Sequence, residues 1–146
     1  MTSVPGLILP KFFSYNKAPL KMVETPDGGI AAWRLSRDTG GWLPANDMID
    51  DILFDLDRSQ EVREIPRAQF VQDTERARAL YLRGDGPIFA LYETVRAVIE
   101  PAYEEQRPLT LQERALVHGI RSRTFRMFEE RLQQQGDPGA DPSLAD

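Results

Sequence analysis

Asp51 and Asp55 stand four residues apart in the stretch ANDMIDDILFDLD, residues 45–57. On a helix that spacing puts two carboxylates on one face, where they offer hard oxygen ligands of the kind Mg²⁺ takes. The pattern goes no further. A calcium loop read from Asp55 needs glutamate at its twelfth position, and Pro66 stands there. Paired-carboxylate catalysis needs two carboxyls across a cleft with separated pKa values, which one exposed helix face does not provide. The plain reading of Asp47, Asp50 and Asp51 is a solvated first turn, where free amides and the helix dipole favour negative charge. Asp55 and Asp57 lie toward the other end, with Arg58 to offset them.

At 100° per residue, Met48, Ile49, Ile52, Leu53 and Leu56 form one arc that must be buried. Phe54 falls among the aspartates. It either packs against the N-terminal part of the chain or, rimmed by Asp51 and Asp55, serves as an aromatic anchor for a partner. Phe12, Phe13 and Tyr15 in KFFSYN raise the same question. They cannot cover themselves, so they dock on this domain or on another, and Trp33 and Trp42 are available to share a patch with them.

Arg121 lies inside the apolar arc of a long C-terminal helix, whose members include Val117, Phe125, Phe128 and Leu132. Either its stem packs while its head stays wet, or it pairs with a carboxylate from another element. Arg123, Arg126 and Arg131 are diluted by Glu129 and Glu130 and read as a solvated face. His118 sits at the edge of the arc, with no serine nucleophile and supporting acid identifiable around it. Gly28-Gly29 and Gly40-Gly41 lack the spacing of a phosphate loop. Arg83-Gly84-Asp85 is a helix stop before a proline start.

Composition narrows the chemistry. Of 146 residues none is cysteine and one is histidine, which removes disulfides, thiolate catalysis and cysteine-based metal sites. The net charge is −5, and residues 47–65 alone hold seven carboxylates against two arginines. No block is basic enough for a strong phosphate-backbone footprint. No apolar run approaches the ~20 residues that span a bilayer. The expectation is a soluble, cytoplasmic protein with no membrane insertion, no cofactor and no metal, and with nucleic acid disfavoured as a partner.

The elements follow from turn and cap signals. Residues 1–17 read as an irregular N-terminal arm, with a possible short strand at Leu7–Leu9. Leu20–Val23 and Ile30–Leu35 form a hairpin around Pro26–Gly29, and Trp42-Leu43 begins a third short strand. Helices are expected from Asn46 or Asp47 to Asp57, from Pro66 to Arg83, from Pro87 with a kink or break at Pro101, and from the capping box Thr110–Glu113 to Gly136. Residues 136–146 read as a disordered tail. The class is α+β: a small N-terminal antiparallel β element followed by four helices, with residues 18–135 as one domain.

These features favour a non-enzymatic protein-interaction, assembly or regulatory factor, through a protein partner or self-association. Its candidate docking residues are Phe54, Asp51, Asp55, Phe12, Phe13, Tyr15 and Arg121. One rival is a small enzyme whose Arg121, His118, Tyr92 or Asp51 converge in space. Another is a weak nucleic-acid binder with a basic face joining Arg76, Arg78, Arg123 and Arg126.

Overall fold

The computed structural model describes residues 7–54 and 61–146. Among them run strands β1 (Lys11–Tyr15), β2 (Ala18–Glu24), β3 (Ile30–Leu35), β4 (Trp42–Pro44) and β5 (Val62–Ile65). The helices are α1 (Ile49–Phe54), α2 (Arg67–Tyr81), α3 (Pro87–Glu104) and α4 (Leu111–Gln134). The protein is α+β, but its β part is larger than the small element expected. The strands form one antiparallel sheet in the order β4-β3-β2-β1-β5.

The irregular arm is therefore corrected: residues 11–15 are an interior strand. The turn that returns β1 to β2 is Asn16-Lys17, both at positive φ (49° and 68°). A two-residue turn of that hand matches strand twist, but lysine is a poor advertisement for it. Leu7–Leu9 forms no strand. Strand β5 escaped notice because it is four residues long and exposed except at Ile65, which pairs with Phe12.

Alternation along the strands divides the sheet into two faces. Phe12, Leu35, Trp42 and Ile65 face α2–α4 and join Phe70, Tyr92, Phe125 and Phe128 in the main core. Phe13, Leu20, Met22 and Ala32 face the other way, under Ile49 of α1. A 3-10 turn at Asn46–Met48 precedes α1, and Asn46 does not cap the helix: its side-chain oxygen accepts from the Ala32 amide at 2.8 Å. The expected extension of that helix to Asp57 lies outside the described residues.

Helix α3 has Pro87 in its first turn and runs through Pro101 without a break. The Thr110 capping box is formed in both directions, with Glu113 N–H donating to Thr110 Oγ1 at 3.1 Å and Thr110 N–H to Glu113 Oε1 at 2.8 Å. The disordered tail is also corrected. Leu144 is buried in the main core, a second 3-10 turn covers Pro142–Ala145, and Asp137 accepts from the Trp42 amide at 3.0 Å. A polar, Pro/Gly-rich segment is held in place here by partners distant in sequence.

Candidate functional site

Helix α2 presents different chemistry on its two sides. Inward it carries Phe70, Glu75 and Arg78. Outward it carries Gln69, Asp73, Arg76, Leu80 and Tyr81, which form one wall of a groove of about 460 Å³.

The inward side holds a buried charge network. Arg78 is 1% exposed, and its guanidinium donates to Glu75 Oε2 at 2.8 Å and to Glu129 Oε2 at 2.6 Å. Its Nε and Nη2 both donate to the Gly40 carbonyl, at 3.0 and 2.8 Å. Glu75 also accepts from the Tyr92 hydroxyl at 2.9 Å. Glu129 accepts from Trp42 Nε1 at 2.9 Å and from the Asp141 amide at 3.0 Å. Lys21 lies over the Trp42 ring and donates to the Gly139 carbonyl.

These four buried charges sum to zero. Burial would lower the pKa of Arg78, but the Glu75 and Glu129 carboxylates raise it above its ordinary value, so it stays a cation. Burial raises Glu75 against the opposing pull of Arg78. Burial also brings Lys21 down to about 8 despite Glu129 and Asp141, and raises the Tyr92 phenol with help from the Glu75 charge. Such a network is enclosed and fully engaged, so its role is positional.

Gly40 shows what is positioned. It sits at φ 76°, and a Cβ there would lie 2.7 Å from both Leu82 and Phe128. Only glycine lets this turn approach the helices closely enough for its carbonyl to meet Arg78. The same turn carries Arg37, whose guanidinium stacks 4.8 Å above the Tyr81 ring. The buried network thus anchors the β3–β4 turn and α2, two of the elements that bound the groove.

Lys17 of the β1–β2 turn, Arg37, Arg63 of β5 and Arg76 line this groove, with Leu35, Pro19 and Leu80 supplying apolar surface. Asp73 is the one carboxylate in the lining. It lies 3.3 Å from Arg76 and accepts from Gln69 at 2.6 Å. Among the described residues Lys17, Arg37 and Arg63 form no ion pair. In an acidic chain this is a local reversal of charge.

The docking residues expected from sequence are scattered. Phe12 and Phe13 are buried on opposite faces of the sheet and are core residues, not anchors. Tyr15 is half-buried against the second core. Phe54 ends α1 at 58% exposed, Asp51 three residues before it is half-buried, and Asp55 lies outside the described residues. Arg121 is half-buried, with its pKa lowered by burial and by the Arg76 charge, and it is not among the residues lining the groove.

The residues of the enzyme reading do not converge. Tyr92 is enclosed, His118 is exposed on α4, and Asp51 belongs to α1 across the sheet. The basic face of the nucleic-acid reading is interrupted because Arg78 is buried. Among the described residues no group of three His, Asp or Glu is placed to hold a metal ion, and no helix is long and apolar enough to cross a membrane. Sequence reasoning missed Lys17, Arg37 and Arg63, which lie in three separate segments, Arg63 within the acidic stretch 47–65.

The chain matches no family model, no curated protein and no solved structure.

Proposed function

We propose that this protein is a non-enzymatic interaction factor whose cationic groove takes an acidic, partly apolar segment of a partner protein. The groove between α2 and the sheet carries the reading: Lys17, Arg37, Arg63 and Arg76 converge there beside exposed Leu80 and Tyr81. Four cations with one carboxylate steer an anion, and the apolar wall gives it something to bury. A polypeptide suits this mixture better than a nucleic acid, because the net charge of −5 repels a long polyanion beyond the groove. Arg78 of α2 donates twice to the Gly40 carbonyl and so ties the helix to the β3–β4 turn, leaving little ordering to be done on binding.

The test is fluorescence anisotropy with a labelled peptide of alternating aspartate and leucine, against wild type and Arg37→Glu/Arg76→Glu. The expected result is saturable binding that weakens with added salt and falls about tenfold or more in the variant. Equal affinity for both proteins, with folding unchanged by circular dichroism, overturns the groove as the docking site. Tighter binding of a single-stranded oligonucleotide of equal charge overturns the choice of a protein segment.

A further inference from the structure

We infer that a second copy of this chain covers the α3–α4 hairpin, each copy laying its α3 against the other's α4. This surface is separate from the cationic groove. Two of the most exposed large apolar side chains of the described residues flank the loop between these helices: Tyr103 at 83% and Leu111 at 81% exposed. Two such side chains on either side of one short loop mark a contact surface more than isolated ones do.

The charges say what covers it. Glu100 and Glu104 of α3 are exposed and form no ion pair among the described residues, and neither does exposed Arg114 of α4. The hairpin therefore shows an acidic helix beside a basic one, with these charges unmatched inside the chain. A two-fold axis through the hairpin places each acidic α3 opposite a basic α4 and matches them twice. Such a closed pairing, with one patch serving both copies, is the commonest form of oligomer. An unrelated acidic or basic partner would match only one of the two helices.

Sedimentation velocity over a wide concentration series decides it, using the full chain. Wild type is expected at twice the single-chain mass, and Tyr103→Glu/Leu111→Glu at the single-chain mass with an unchanged circular dichroism spectrum. Because both side chains are exposed, this substitution removes the contact without opening the core. Glu100→Arg and Arg114→Glu are each expected to be monomeric alone. An equimolar mixture of the two is expected to regain the dimer mass, because each opposed pair is then matched again. A monomeric wild type overturns the inference. So does a dimer that survives the apolar substitutions, or a mixture of charge variants that stays monomeric.

Discussion

Arg78 Nη2 lies 2.6 Å from Glu129 Oε2, joining α2 to α4, and both side chains are wholly enclosed. Removing the cation leaves Glu75 and Glu129 buried without the counter-charge they share, though Tyr92, Trp42 and the Asp141 amide still donate to them. Arg78→Met is expected to cost about 3–5 kcal/mol in urea unfolding. Arg78→Met/Glu129→Gln should cost less than the sum of its single variants, since each change relieves the other. A single-variant loss below about 1 kcal/mol, the range of an exposed pair, would contradict the enclosed network.

Lys21 gives a pH signature. Its pKa is brought from 10.5 to about 8 by burial, against Glu129, Asp141 and Asp137 and with Arg78. The folded state then binds this proton less tightly than the unfolded chain does. Its favourable contribution is fully present above pH 10.5 and is lost as pH falls through about 8. Measured against Lys21→Met, wild-type stability is expected to rise by about 3 kcal/mol across that window. Thermal unfolding of both proteins at several pH values checks it. A difference that stays flat with pH would show that Lys21 keeps an ordinary pKa.

Gly139 tests the docking of the C-terminal segment. A Cβ at this position would lie 2.5 Å from Trp42 Cβ and 3.0 Å from the Trp33 ring. Gly139→Ala should destabilise by about 1–3 kcal/mol, the usual range for an overpacked contact. It should also shift tryptophan emission to the red as the segment lifts. Gly28→Ala meets nothing within 4 Å but sits at φ 85°, so it is expected to cost backbone strain without that spectral change.

Thr110 isolates a local effect. Thr110→Ala removes the hydroxyl that accepts from the Glu113 amide, at an expected cost of about 1 kcal/mol. The adjacent Arg107 bonds hold the Glu113 carboxylate down to about 2, so it stays ionised and able to accept from the Thr110 amide through mildly acid pH. Hydrogen exchange should quicken in the first turn of α4 and leave the sheet unchanged. Faster exchange throughout the sheet would mean that the cap governs more than its own helix.

Much of the helical architecture was legible because its signals are local. Pro87, the Thr110–Glu113 box and Gly136 lie within a turn of the ends they mark, and the backbone responds to them wherever they stand. The hairpin of β2 and β3 was legible for the same reason, through Pro26–Gly29. Strand β1 was not: Lys17 conceals its turn, and the clustering of Phe12, Phe13 and Tyr15 suggested a surface until alternation sent the first two to opposite cores.

The sequence by itself determined the α+β order, the approximate ends of α2, α3 and α4 and the absence of thiol chemistry, since each depends on residue type or on neighbours a few positions away. Only the tertiary structure decided which charges are enclosed and which converge. Glu75 and Glu129 are 54 positions apart and look like any helical glutamates, yet one arginine binds both. Lys17, Arg37, Arg63 and Arg76 come from four elements or turns and share a groove. Burial and charge density are properties of the packed chain. Pairing across long loops sets them, and no local pattern in the sequence encodes that pairing.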